Sequence, residues 1–224
     1  MDKRVLAPGE EHGEQTRERL LKSAERLFAR RGYARTSVRD ITRDASCNVA
    51  AVNYYFNGKK SLYREMFLRR MTAMREQRIA RISRVMDENR QGVTLETVLQ
   101  AFAEGFLEPL VDDSGGRVLL ELITRELLEP QMPVDFMLSE MILPLQETLA
   151  HAIETTDPGV PSETIRLCIQ SFVAQLIHFV RIRRLAQVGE NVQPFAFSLP
   201  ELIDHMVRFT AAGITAGAAQ KSGS

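Results

Sequence analysis

Between Thr16 and Phe56 the apolar residues recur at helical spacing in three runs, and only Ser46, Cys47 and Asn48 separate the last two. Two short helices joined this closely after a longer one have the spacing of a helix-turn-helix, which constrains the fold more tightly than any other feature of the chain. In the first run Leu20, Leu21, Ala24, Leu27 and Phe28 form one stripe behind a Thr16 cap, and Arg30 and Arg31 fill the last turn before Gly32 stops it. Ser37 with Asp40 three residues on is a capping-box variant that opens a helix over Val38 to Ala45. Asn48 caps a third helix over Val49 to Phe56, which Asn57-Gly58 ends.

On that third helix the 3.6-residue period puts Val52, Tyr55 and Phe56 on one face, suited to packing on the first two helices, and Ala50, Asn53 and Tyr54 on the other. The outward face suits a major groove. Small Ala50 and Ala51 let the backbone come close and touch thymine methyls, Asn53 has the paired donor and acceptor that match adenine, and Tyr54 can donate to a phosphate. A plain solvated face is the competing account of Asn53 and Tyr54. Lys59 lies in the first turn of the next helix, where a cation opposes the dipole, and a bound phosphate removes that conflict. Lys59 is therefore the leading phosphate contact, with Thr36 and Ser37 near the start of the second helix as helpers. Arg39 reaches a phosphate or a base edge, or is a surface arginine beside Asp40 and Arg43.

The zero net charge hides an asymmetry that bears on the same segment. Residues 1–78 carry 18 Lys and Arg against 10 Asp and Glu, net +8, which leaves 11 against 19, net −8, for residues 79–224. A basic N-terminal third points to a polyanionic partner for that part alone. Cys47 and Cys168 are far apart and lack metal-ligand spacing, as thiols are in a reducing cytoplasm. The N-terminus is polar, and no run approaches the apolar length of a membrane span, so a cytoplasmic bacterial protein with no membrane partner is expected.

The stretch Thr16-Arg17-Glu18-Arg19, Leu27-Phe28, Arg31-Gly32-Tyr33, Thr36 to Ile41, Asn53 to Phe56, Lys59 and Leu62-Tyr63 resembles the DNA-binding domain of the TetR family of bacterial regulators. The likeness covers about the first quarter of the chain. It implies an all-helical homodimer, a palindromic double-stranded operator, and release from DNA when a small-molecule effector enters the C-terminal domain. It also implies phosphate contacts at Thr36, Tyr54 and Lys59 and base contacts early in the third helix, here Asn48-Val49-Ala50-Ala51. Two positions depart from the pattern. The turn has Ser46-Cys47-Asn48 where the family usually has Gly-Val-Ser, so a left-handed conformation must be borne by Ser46 or avoided, and Asn53 stands where Tyr is common. Asn48 to Tyr54, Arg125 to Pro130 and Ile142-Leu143-Pro144 resemble the branch related to the regulator CecR.

The remainder reads as all-α. A long charged helix runs from Lys59 to about Asn89, others start at Thr94 and Arg117, and one from about Val134 is kinked by Pro144. An apolar helix spans Ser162 to about Gln187, and a last one follows Pro200. The expected division is a disordered tail over 1–14, a DNA-binding domain over 15–60, a ligand-binding and dimerisation domain over 61–216, and a disordered tail over 217–224. The Ser162–Gln187 helix is apolar on more than one face, which suits a two-fold interface formed with the last helix. Phe102, Phe106, Phe136, Met137, Phe172 and Phe179 are candidates to line an effector cavity, with Arg125, Gln175 and His178 to orient the ligand. The four histidines show no metal spacing and no Gly-rich phosphate loop appears, so no enzyme, metal or cofactor is expected. The rival from another class is an interaction scaffold with a degenerate helix-turn-helix.

Overall fold

A computed structural model describes residues 8–88, 92–111, 116–188 and 197–221. Among these residues the regular structure is helical, without a strand, in line with the periodicity. The helices are α1 (Pro8–Arg31), α2 (Val38–Asp44), α3 (Ala50–Phe56), α4 (Lys59–Glu88), α5 (Leu95–Val111), α6 (Gly116–Leu128), α7 (Val134–Met137), α8 (Leu143–Thr156), α9 (Ser162–Val188) and α10 (Leu199–Lys221), with a π-helical stretch, Leu138–Ile142, between α7 and α8. Residues 89–91, 112–115 and 189–196, which include Asn89 and Pro194, lie outside the described residues.

Both terminal helices are longer than expected. Helix α1 begins at Pro8, a residue whose missing N–H has no intrahelical partner to lose at a first turn. Gly217 does not stop α10, because it serves packing: a Cβ there would lie 2.4 Å from Cγ2 of Thr164 on α9. Only 1–7 and 222–224 of the two expected tails fall outside the described residues.

The chain forms two compact units. The first joins the residues up to Thr72 with Arg117–Val134, so residue 60 falls inside it and nearly all of α6 packs with helices that precede it by many residues. Its core holds the expected stripe, Leu20, Leu21, Ala24, Leu27 and Phe28, against Ile41, Val52, Phe56 and Leu62. Rings of Phe28, Tyr33 and Tyr63 pack together, with Phe28–Tyr63 edge-on at 5.0 Å and Tyr33–Tyr63 at 5.3 Å, tying α1 and the turn after it to α4. Arg17–Glu65, Glu18–Arg69 and Glu25–Arg70 add ion pairs between α1 and α4, which fix register more than they stabilise.

The second unit takes Ala73–Gly116 and the residues from Asp135 on. Two prolines interrupt its helices, and each orphans the carbonyl four residues earlier. Pro109 leaves that of Gly105 without a donor, and Arg78 Nε supplies one at 3.2 Å, with Nη2 donating to Phe106 O at 3.1 Å. Pro144 leaves that of Glu140, and Arg75 donates to it. The expected disturbance at Pro144 takes the form of the π-helical stretch, after which Pro144 opens α8. Arg78 is 6% exposed, with its guanidinium 4.2 Å from the centroid of the Phe106 ring. Burial pulls its pKa down to about 10, which leaves it charged at neutral pH.

Among the described residues one helix, over Ser162–Arg183 in α9, is long and apolar enough to cross a membrane, contrary to the sequence expectation. Its buried residues Ile165, Ile169, Phe172 and Leu176 face α5, α8 and α10, the pattern of a packed helix. Gly217 lets α10 approach α9 beside Thr164, and Gly213 lies opposite Cys168.

Candidate nucleic-acid interface

The segment that could read DNA is α2, the turn after it, and α3. Ser37 caps α2: its hydroxyl oxygen accepts from the Asp40 N–H at 3.1 Å, while the Asp40 carboxylate accepts from the Ser37 N–H at 3.0 Å, completing the capping box. The Ser37 hydroxyl also donates to the Asp40 carboxylate at 2.5 Å, and this bond, then the one from the Ser37 N–H, holds the carboxyl below its ordinary value, with Arg31 and Arg43 assisting. At the other end of α2, Ser46 takes φ 53°, its N–H donates to Arg43 O at 3.2 Å, and the Cys47 N–H donates to Thr42 O at 2.8 Å. This is a Schellman ending with serine in the glycine position, so Ser46 bears the left-handed turn. Asn48 then caps α3, its side-chain oxygen accepting from the Ala50 N–H at 2.9 Å. Asn57, at φ 56°, closes α3 with its N–H on Asn53 O.

Between these caps α3 has two distinct faces. Val52 and Phe56 are buried and Tyr55 is half-buried, whereas Val49, Ala50, Asn53 and Tyr54 are exposed and Ala51 half-exposed. Tyr54 is 82% exposed, propped edge-on against Tyr55 at 4.8 Å. Asn48 and Arg39 are exposed beside this face, as are Arg43 and Lys60, which the sequence reading did not single out.

Two expected phosphate contacts are differently placed. Thr36 is 1% exposed and its hydroxyl donates inward, to Gly32 O at 2.8 Å with Leu27 O at 3.3 Å. Its side chain is thus occupied in shaping the turn before α2. Lys59 Nζ lies 4.1 Å from the centroid of the Tyr33 ring, and partial burial lowers its pKa. The ring face offsets the cation's conflict with the α4 dipole, so a phosphate is not required to explain it.

Arg125, expected to orient a ligand, instead completes the end of α1. Its Nε donates to Ala29 O at 2.7 Å and its Nη2 to Arg30 O at 2.9 Å. With Thr36 near Leu27 O, Gly32 N–H on Phe28 O and Arg35 Nε on Arg31 O, every carbonyl of the last turn of α1 has a partner. Neighbouring Glu126 is buried and accepts from Tyr63 Oη at 2.5 Å and from the N–H groups of Gln131 and Met132 at 2.8 and 2.6 Å. Burial and this carboxylate raise the Tyr63 pKa far above the ordinary phenol range. Nothing in the local sequence signals these roles, because Arg125 and its acceptors lie some 95 residues apart.

The other candidate ligand residues do not converge on one cavity. Phe102, Phe106 and Phe172 are buried together, with ring centroids 5.9 Å apart, beside Arg78. Gln175, His178 and Phe179 line an open groove between α9 and α10, whereas Phe136 and Met137 are half-buried on α7.

Residues 20–66 match the model of the bacterial regulatory proteins of the tetR family, and residues 95–214 match the C-terminal domain of the HTH-type transcriptional dual regulator CecR. Over 47 residues, 21% of this chain and 23% of its relative, the chain is 45% identical to the HTH-type regulator YttP of Bacillus subtilis. Over 116 residues, 50% of this chain and 51% of its relative, it is 31% identical to the HTH-type transcriptional regulator TtgR of Pseudomonas putida. The chain thus spans from about a quarter to about half of the length of these curated relatives. Among solved structures, a TetR family regulator from Marinobacter aquaeolei superimposes with a TM-score of 0.61 at 17% identity, over 92% of this chain and 98% of the other. The fatty acid degradation regulator FadR from Bacillus halodurans gives 0.61 at 16%, over 93% and 97%. A family match over more than half of the chain, joined to the helix-turn-helix geometry, leads to one conclusion: the chain belongs to the TetR family of transcriptional regulators, with a C-terminal domain of the CecR type.

Proposed function

We propose that this regulator is a repressor that binds a palindromic operator as a homodimer and is released by a small-molecule effector. The observation that carries the reading is the exposed Ala50–Asn53–Tyr54 face of α3 over a buried Val52–Phe56 face. Asn53 and the small alanines meet base edges, Tyr54, Arg39 and Lys59 meet phosphates, and Asn48, Val49 and Ser37 bring the backbone close; Thr36 acts by positioning. The turn is intact despite its serine, which favours a working reading helix over a degenerate scaffold. In a homodimer the two α3 helices enter successive major grooves about 34–36 Å apart, or a multiple of that.

The effector is received by the second unit, whose aromatic cluster around Phe102, Phe106 and Phe172 supplies the apolar surface. Helix α4 contributes residues to both units and carries the change, for which a coupling of about 1–3 kcal/mol suffices. Selecting bound fragments from the genomic DNA of the source bacterium tests the reading. Enrichment of inverted repeats upstream of genes is expected; recovery of no discrete sequence at low salt sinks it.

A further inference from the structure

In the second unit, α4 carries two arginines one turn apart, and only one of them meets an acid. Arg78 uses Nε on Gly105 O and Nη2 on Phe106 O, while its Nη1 donates to nothing among the described residues. The acids of α5 that flank those acceptors, Glu104 and Glu108, pair instead with Arg81, at 2.7 and 2.5 Å. Mending the break at Pro109 takes donors, not a charge. The charge of Arg78 is therefore in excess of its structural role, and a cation buried among neutral groups loses solvation that no counterion returns.

Arg75, three residues earlier and so on the same side of α4, has the Glu140 carboxylate at 3.8 Å. That acid is half exposed and sits on a loosely packed segment: no residue from Asp135 to Pro144 is buried, although Phe136, Met137, Leu138, Met141, Ile142 and Leu143 are apolar. Such a segment opens at low cost. From the Arg78 guanidinium the rings of Phe106, Phe102 and Phe172 follow one another at 5.9 Å, and Phe106 is the accessible end, at 9% exposure against 1% and 0%. We propose that Arg78 and Arg75 form an anion site for the effector, which is a carboxylate or sulfonate on a flat aromatic body. Its charged group bridges the two arginines in place of Glu140, and its rings lie along Phe106 and Phe102. Glu140 is then the chain's own occupant of the anion position. The inference rests on the effector reading of the proposed function and names the chemical class that the second unit takes.

Anilinonaphthalene sulfonate and its uncharged parent, phenylnaphthylamine, share an aromatic body and differ in the anion, so their fluorescence on the full chain separates charge from burial. The sulfonate is expected to bind about tenfold more tightly or better, the worth of a charge-assisted hydrogen bond. Glu140→Gln removes the competing carboxylate from a half-exposed position and should tighten the sulfonate about two- to fivefold while leaving the uncharged dye unchanged. Arg78→Met in the Pro109→Ala background, where Gly105 O regains a helical donor, should erase the preference for the anion, with circular dichroism and thermal melts as controls on folding. The preference should survive Arg39→Ala, because a dye held by the basic reading segment would lose it there. Equal affinity for the two dyes, binding of neither, a preference lost in Arg39→Ala, or a Glu140→Gln variant no tighter for the sulfonate overturns the anion site and leaves the effector reading standing. Charge-selective binding that depends on Arg78 yet leaves affinity for the selected inverted repeats unchanged keeps the anion site and sinks the effector reading.

Discussion

At the scale of single residues, the helix-turn-helix rests on backbone geometry that its side chains tolerate unequally. A left-handed non-glycine residue costs on the order of 1–2 kcal/mol, and Ser46 carries that cost at φ 53°. Ser46→Gly relieves the strain but loosens the unfolded chain, so a net gain of about 0.5–1 kcal/mol is expected, read as a higher urea midpoint with an unchanged slope. Asp40 is depressed in pKa by the Ser37 hydroxyl and N–H. Its ionised form therefore favours the folded state at neutral pH, and that contribution fades as pH falls through the carboxylate range and is gone below the folded pKa. In Ser37→Ala the Asp40 carboxyl should titrate at higher pH, followed by its NMR chemical shift; an unmoved titration would remove Ser37 as the cause. For the proposed DNA contacts, Asn53→Ala should relax preference at one base position, whereas Lys59→Ala should weaken all sequences and reduce the salt slope by about 1. Competition binding on operator and random duplexes separates the two, and equal losses on both for Asn53→Ala would count against base contact.

At the scale of helices, α4 repairs breaks in its neighbours. Arg78 and Arg75, three residues apart, donate to the carbonyls that Pro109 and Pro144 leave without a helical donor. A buried carbonyl left unpaired costs about 1–3 kcal/mol, and a charged donor adds to what is lost. Arg78→Met keeps most of the packing volume but removes both bonds, and a loss of about 2–4 kcal/mol is expected in chemical denaturation. Adding Pro109→Ala restores an N–H for Gly105 O, so the double variant should lose less than Arg78→Met alone. Strict additivity would show that the proline and the arginine act independently.

At the scale of the molecule, the unit that holds the reading helix is discontinuous in sequence. Most of α6 belongs to it, and Arg125 and Glu126 bind α1 carbonyls and Tyr63. Arg125→Met should therefore lower hydrogen-exchange protection at the end of α1, by about 1–3 kcal/mol of local opening, while amides in α9 and α10 keep theirs. Uniform loss across both units would mean that Arg125 supports global stability instead.

The sequence by itself determined the helices of the reading segment, their caps and which face of α3 looks outward, because these follow from a 3.6-residue period and from contacts spanning three or four residues. It also determined that something in the turn must be left-handed, and family patterns in Thr16–Tyr63 carried the identity. It misplaced Thr36, whose neighbours suggest a surface cap but whose hydroxyl turns inward to Gly32 and Leu27. Arg125, a cation among apolar residues that suits a ligand, instead donates to the Ala29 and Arg30 carbonyls. Only the tertiary structure decided these cases, along with the arginines that mend Pro109 and Pro144 and the glycine, Gly217, that seats α10 on α9. Each depends on a partner brought close by folding rather than by spacing, and a buried polar group takes whichever partner the packed chain offers.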